Sequence, residues 1–339
     1  MLTIDGSYGE GGGQIIRTSV ALALVTGKAF RVERVRANRE KPGLQKQHLT
    51  AVLSAARIGN AEVEGARVGA TEFSFVPKGV EAGEYTFSIG TAGSSTLVMQ
   101  AVLPPLMIAN APSMLTIEGG THNVHAPPVE FLQKTFLPLV NCTGARVSLE
   151  LERYGFYPPG GGRINVMIEP MSERVRLDIP ERGEILHRKA RAMVVKLAPH
   201  IAERELAVIA GQLGFDEDEL ELETSHNALS PGNILTIEIG SEQVTEVFTG
   251  IGERGVRAET VAERAANEAA AYLSTGAAVG EHLADQLLIP LALSGGGSYV
   301  TGTPSLHTRT NIEVIKKFLD VKIATLQLSD RVWKIEVEV

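Results

Sequence analysis

The sequence predicts a mixed α/β protein of three similarly patterned segments, with a differently ordered α/β block inserted before the third. Three observations lead there. An apolar helix, a strand, a polar loop, an amphipathic helix and further strands recur in that order three times. Glycine, 35 of 339 residues, gathers in short clusters such as Gly11-Gly12-Gly13, Gly160-Gly161-Gly162 and Gly295-Gly296-Gly297, which mark tight turns and close backbone approaches. A composition of 44% hydrophobic and 21% charged residues supplies a packed core and excludes a disordered chain. At this length two lobes, or one lobe carrying a large insertion, are expected.

In the first segment IIRTSVALALVTG reads as the apolar helix, AFRVERVR as a strand, ANREKPGL as the loop and QKQHLTAVLSAARIG as the amphipathic helix. The second repeats this with SSTLVMQAVLPPLMIAN, SMLTIEG, GTHNVHAPP and VEFLQKTFLPLVNCTG. A block of another order follows. Strand-like ILHRKARAMVVKL leads to helix-like HIAERELAVIAGQLG, short strands around LELET, NILTIEIG and QVTEVFTG, and the Ala/Glu-rich helix AETVAERAANEAAAYLS. The third segment then runs through HLADQLLIPLALSG, SYVTG, TPSLHTRT and NIEVIKKFLDV. The expected organisation is a large domain from 1–182 and 278–339, with a small α/β domain at 183–277 inserted into it.

The single cysteine, Cys142, excludes an internal disulfide, fits a reducing compartment and is expected as a small buried apolar residue. The start MLTIDGSYGEGGG has neither a basic region nor an apolar core of a signal peptide, and no run of about 18 apolar residues follows. Secretion and membrane spanning are disfavoured, and a cytoplasmic location is expected. A net charge of −8 argues against coating long nucleic acid. Residues 28–48 are the local exception, carrying seven Lys/Arg against two Glu, which suits gripping a few phosphates at a strand end but also suits a plain solvated face.

The loop before the second helix of each segment carries Arg36 and Arg39, then His122 and His125, then His307. Helix N-termini favour anions, so three such ends can surround one phosphate-bearing ligand. Glu10 sits inside a glycine run, where backbone N–H groups approach phosphate and a carboxylate can hold Mg²⁺ or Mn²⁺; a glycine turn with an exposed Glu is the other reading. Arg17, Arg36 and Arg39 have the forked geometry that recognises phosphate, with Lys41 and Lys46 close behind. Gln47 and His48 open the following helix, His48 also fitting a structural role. His307 precedes a helix that Thr308 or Thr310 can cap. Neutral imidazole can attack the α-phosphate of a nucleotide, although a capping or core histidine also fits. Gly250-Ile251-Gly252-Glu253-Arg254-Gly255 has the form of a dinucleotide fingerprint but sits late in the inserted block, so it reads as a turn. No Walker A pattern and no zinc-like spacing occurs.

Five blocks in order, GEGGGQIIRTSVALALVTG, VRANREKPGLQKQHLTAV, YGFYPPGGG, GEHLADQLLIPLALSG and TPSLHTRTNI, together resemble the RNA 3′-terminal phosphate cyclase family from residue 5 to the last helix. The resemblance implies a large domain of three repeated units, each of two helices and a four-stranded sheet, with the small α/β domain before the third. It places the family's adenylylated histidine on His307 and its metal-associated glutamate on Glu10. Arg17, Arg36, Arg39 and Gln47 fall on phosphate- or RNA-binding positions, and His48, beside Gln47 at the helix start, is placed to contact phosphate or ribose. Gln100, Pro127 and the run His282, Leu283, Ala284, Asp285 and Gln286 fall on the ATP pocket, with Pro127 against the adenine. Two departures stand out: Tyr154 replaces a basic residue of the pattern, and His282 replaces a frequent tyrosine, its smaller ring stacking over less of the base.

The implied activity converts an RNA 3′-terminal phosphate to a 2′,3′-cyclic phosphate at the expense of ATP, with Mg²⁺ or Mn²⁺, through histidine-AMP and an RNA-adenylate. Implied partners are RNA 3′-phosphate ends and ATP, with no membrane and a homodimer left open. Two alternatives stay open: a non-catalytic relative acting in ribosomal RNA processing, and a sugar-phosphate transferase of comparable repeated architecture.

Overall fold

The computed structural model describes residues 1–339. From the N-terminus, β1 (Leu2–Asp5), α1 (Gly13–Thr26), β2 (Phe30–Glu33), α2 (Lys46–Ile58), β3 (Glu62–Glu64) and β4 (Phe73–Val76) come first. Next are β5 (Glu84–Ser88), α3 (Ser95–Met107), β6 (Ser113–Gly119), α4 (Val129–Phe131), a π turn (Leu132–Phe136), α5 (Leu137–Cys142), β7 (Arg146–Arg153) and β8 (Gly162–Glu169). After β9 (Leu177–Ile179) the inserted block holds β10 (Ile185–Val195), α6 (His200–Leu213), β11 (Leu220–Ser225), β12 (Gly232–Ser241), β13 (Thr245–Ile251) and α7 (Ala258–Thr275). The chain closes with α8 (Glu281–Leu293), β14 (Gly297–Thr301), α9 (Leu306–Phe318), β15 (Lys322–Ser329) and β16 (Val332–Glu338).

Three four-stranded sheets share one topology, β1-β2-β4-β3, β5-β6-β8-β7 and β9-β14-β16-β15. In each, the first pair is parallel and the other two are antiparallel. The parallel pair needs a crossover, supplied by α1, α3 and α8 respectively. The third sheet departs from the simple expectation, because β9 precedes the inserted block yet pairs with β14. The block therefore interrupts the third segment between its first strand and first helix. It has its own sheet, β11-β10-β12-β13, backed by α6 and α7.

Helices α1, α3 and α8 are apolar nearly all round and buried accordingly, while α2 and α9 bury one face. Inward residues of the sheets, among them Phe75, Ile164, Val166, Ile168 and Ile335, join Ile15, Val98 and Leu287 in one continuous core. A smaller core around Ala192, Leu206, Ile237 and Ala265 holds the inserted block together. Helix α1 stops where Gly27 adopts φ 69°, a left-handed conformation that glycine takes without strain. The π turn is local chemistry too: Pro138 has no N–H to continue the α-helical ladder, and Leu137 N–H reaches back to the Leu132 carbonyl. Cys142 differs from expectation. It ends α5 on the outward side and is exposed. No helix is long and apolar enough to cross a membrane.

Candidate active site

His307 is the second residue of α9. Its cap is Ser305, whose Oγ accepts the Thr308 N–H at 3.2 Å, rather than Thr308 or Thr310. Both threonines lie inside the helix, where the Thr310 hydroxyl donates to the Leu306 carbonyl (2.7 Å) and accepts the Glu10 N–H (3.0 Å). That contact fastens the glycine run before α1 to the start of α9.

The imidazole Nδ1 stands 3.1 Å from Gln14 Oε1. Gln14 Nε2 lies 2.6 Å from each carboxyl oxygen of Asp285, which also receives Asn311 Nδ2 at 3.0 Å. Asn311 is oriented in turn by the Thr18 hydroxyl, 2.7 Å from its Oδ1. A carboxylate only accepts, so the Gln14 amide presents nitrogen to Asp285 and oxygen to the imidazole, and Nδ1 must carry the proton. The lone pair of His307 is then on Nε2, 3.9 Å from Glu10 Oε1. Burial, with Arg17, Arg39 and His282 nearby, holds His307 below the ordinary 6.5, against the opposing pull of Asp285. Burial pushes Asp285 up.

Glu10 is folded back over Gly12, where any side chain would strike its carboxyl group. Its Oε1 pairs with Arg39, and Arg39 Nη2 also reaches the Glu10 carbonyl at 3.3 Å. Oε2 is buried with no hydrogen-bond partner. No group of three or more His, Cys, Asp or Glu gathers anywhere as a self-sufficient metal cage. One open carboxylate oxygen is the donor set Mg²⁺ or Mn²⁺ takes when phosphates and water complete its shell, so Glu10 fits such an ion.

Arg17 donates to no protein acceptor; burial lowers it to about 10, Asp285 opposing, and it stays charged at neutral pH. His48 lies against Gly13, where a side chain would overlap its ring. Its Nδ1 accepts the Gln45 N–H at 3.1 Å, completing a capping box, which leaves the proton on Nε2. Burial and the charges of Arg17 and Arg36 push His48 down to about 3, so it is a neutral donor. Gln47 Oε1 accepts the Ser94 N–H (3.1 Å) at the start of α3. Arg36 braces its own loop, with Nη1 on the Lys41 (2.6 Å) and Gly43 (2.9 Å) carbonyls.

The basic stretch is largely spoken for. Arg31 pairs with Glu72, Arg34 with Asp5 and Arg39 with Glu10, and Lys28 Nζ caps the Phe318 carbonyl. The second segment's loop also turns away from the expected cluster. His122 is buried and bonded to Thr121 and Glu130, and it packs on Phe156 of the YGFYPPGGG segment. Glu130 continues to Arg191 of the inserted block, so this loop joins two parts of the molecule. His125 is exposed.

The first turns of α8 separate two cavities. One, of about 60 Å³, is lined by Gln14, Arg17, Gln100, Asp285 and Gln286, with Gln100 Nε2 2.5 Å from Gln286 Oε1. The other, of about 380 Å³, is lined by His282, Thr303, Phe131 and, from the inserted block, Glu246, Phe248 and Tyr272. Leu283 and Ala284 are buried between them in the core. Pro127 is half-buried in its loop and lines neither cavity. Gln14, Asn311 and Thr18 are the site-forming residues that the sequence pattern did not single out, and Thr310, read there as a cap, instead ties α9 to the glycine run. Each lies inside a block quoted for its pattern, but only the fold brings residues some 300 positions apart together.

Positive groups and helix N-termini gather around a neutral imidazole here, which is an environment for a ligand with several negative charges. The class is a phosphate-handling α/β enzyme. Comparison with known proteins makes it particular: the RNA 3'-terminal phosphate cyclase family matches residues 8–325. Proteins named RNA 3'-terminal phosphate cyclase are similar throughout. That of Koribacter versatilis is 50% identical over 95% of this chain and 90% of its own length. That of Ectopseudomonas mendocina is 46% identical over 99% and 98%, and that of Ralstonia nicotianae 48% over 95% and 92%. A solved EPSP synthase from Acinetobacter baumannii, at 11% identity over 96% of this chain and 62% of its own, superposes with a TM-score of only 0.28 and carries no argument. The chain belongs to the RNA 3'-terminal phosphate cyclase family.

Proposed function

We propose that this enzyme closes RNA 3′-terminal phosphates to 2′,3′-cyclic phosphates with ATP, through AMP carried on His307 Nε2. The observation that carries the reading is the chain Asp285–Gln14–His307, which leaves a neutral imidazole with its lone pair directed toward Glu10 and Arg39. In the first step Nε2 attacks the α-phosphorus of ATP, and pyrophosphate departs. Arg17, free of protein partners, and the Nε2–H of His48 bind phosphate oxygens. A divalent cation held by Glu10 would supply charge neutralisation on those oxygens. The P–N bond then breaks as the RNA 3′-phosphate oxygen takes the AMP, giving a mixed anhydride. The adjacent 2′-OH attacks that 3′-phosphorus, losing its proton, and AMP leaves. This last step is intramolecular, where effective molarities reach roughly 10⁵ M or more, so positioning of the RNA end is the main requirement, with Arg39 holding Glu10 in place and Gln47 fixing the start of α3 beside it.

Gln100, Asp285 and Gln286 line the inner side of the nucleotide site and His282 the outer, with Pro127, Leu283 and Ala284 acting through the loop and turn that hold them. Arg36 contributes by bracing its loop. The large domain is read as 1–182 with 278–339, three copies of one βαβαββ unit, and 183–277 as the inserted domain. The common strand order of the three sheets supports that reading. A cytoplasmic setting is part of this reading, and a lone cysteine, which can form no internal disulfide, is compatible with it. A non-catalytic ribosomal RNA processing role is not favoured, since His307, Glu10 and Arg17 are all present.

The test is intact-mass analysis after incubation with ATP and a divalent cation. The protein is expected to gain one adenylate, mapped to His307, and the variant His307→Ala to gain none while keeping its melting temperature. An adenylate on H307A, or none on the wild type, refutes the assignment.

A further inference from the structure

We propose that Glu246, from the inserted block, reads the base of the nucleotide through a two-point pair, donating from Oε2 to a ring nitrogen of adenine and accepting its amino group at Oε1. This rests on the reading of His307 as the nucleotide's acceptor. The cavity of about 380 Å³ falls within the range of small-ligand pockets, roughly 300–1,000 Å³. It adjoins the reacting group, because Gly302 and Thr303 lead straight into the Ser305 cap of α9 and His282 opens the turn that carries Asp285. Its walls are flat and apolar where a base would lie: Phe131, Phe248 and Tyr272, the last with its hydroxyl already given to the Ala278 carbonyl at 3.0 Å.

Glu246 is 2% exposed, and its Oε1 accepts the Gly280 N–H at 2.6 Å. Oε2 has no protein donor and is the open valence of the cavity wall. No cation pairs with this carboxyl group. The titratable groups sharing its cavity are Tyr272 and Glu268 on α7 and Glu281 and His282 on α8, and the Arg182 guanidinium lies over the Tyr272 ring at 5.2 Å. Burial accordingly pushes Glu246 up to about 8, which keeps it a neutral acid at pH 7.

The Gly280 N–H does more than satisfy Oε1. It marks that oxygen as the acceptor and Oε2 as the hydroxyl, fixing their order along the wall. Adenine offers an amino donor beside a ring-nitrogen acceptor on either of its edges, matching that order. Guanine in the same pose sets its carbonyl against Oε1, acceptor to acceptor, and is refused. The inserted block therefore has a part in the chemistry: it supplies the base-reading wall that the three-sheet body lacks.

The experiment measures the rate of nucleotide attachment to His307 with ATP and with GTP, for the full-length wild type, Glu246→Gln and Glu246→Leu, at pH 7 and 9. E246L is expected to lose ATP-over-GTP preference by about tenfold or more, one hydrogen-bonded pair's worth. E246Q, which keeps an acceptor for Gly280 and a donor toward the base, retains the preference. Wild-type KM for ATP rises about tenfold between pH 7 and 9 as the hydroxyl ionises, and that of E246Q stays flat. A folded E246L with unchanged preference, or an E246Q whose KM follows the wild-type pH course, overturns the proposal while leaving the His307 reading intact. A wild type that takes up no nucleotide at all ends both.

Discussion

At the scale of single residues the decisive contact is the one between Gln14 and the imidazole. Asp285 fixes the amide, the amide fixes the tautomer, and in the proposed reaction the tautomer decides which nitrogen can attack phosphorus. Gln14→Ala is expected to slow AMP attachment about 10- to 100-fold, the value of a hydrogen bond to a charged or charging group, with little change in KM for ATP. Stopped time courses of the adenylate mass increment measure it; an unaltered rate would show that His307 needs no such orientation. His307 and Asp285 stand out in the sequence because each lies in a recognisable block. Gln14 does not, since a glutamine after a glycine run reads as an ordinary helix start. Glu246 is hidden for a similar reason: QVTEVFTG reads only as a short strand, and the burial of this carboxyl group against Gly280 shows in the fold alone.

Among the elements, the joint between α4 and β10 is where electrostatics bears on stability. Burial alone would raise Glu130, yet the His122 and Arg191 contacts outweigh it and bring the carboxyl group down to about 2. A carboxyl group depressed from 4.5 to about 2 adds stability that is complete above pH 4.5 and is lost as the pH falls toward 2, worth roughly 3 kcal/mol. Wild-type melting temperature should therefore drop through that window more steeply than that of Glu130→Gln, which has no carboxyl group to protonate. Parallel slopes by calorimetry would remove Glu130 from the acid response. The helix itself was readable from VEFLQKTFLPLV, but its π turn and its role as a bridge were not. Periodicity reports which face is apolar, and it carries no sign of a partner strand about sixty residues ahead. The same limit hid β9, three residues whose pairing partner lies beyond the whole inserted block.

For the whole molecule the question is how an acidic body with a net charge of −8 captures a nucleic acid end. Composition pointed to a basic patch at 28–48, and the fold has consumed most of it internally. Arg31, Arg34 and Arg39 face carboxylates and Arg36 and Lys28 face carbonyls, which leaves Lys41 and Lys46 from that stretch and Arg17 inside the cleft. Each phosphate neutralised on a single strand contributes about −0.7 to the slope of log affinity against log salt. Three available cations therefore predict a slope near −2 for a 3′-phosphorylated oligonucleotide, measured as KM between about 50 and 200 mM salt. The double variant Lys41→Ala/Lys46→Ala should flatten it to about −0.7 and leave the rate of AMP attachment to the protein unchanged, because both lysines are exposed and neither is bonded to His307 or its partners. A wild-type slope of about −4 or steeper would mean that RNA binding breaks the internal pairs of the patch and recruits their arginines, and the end-gripping picture would give way to one of strand coverage.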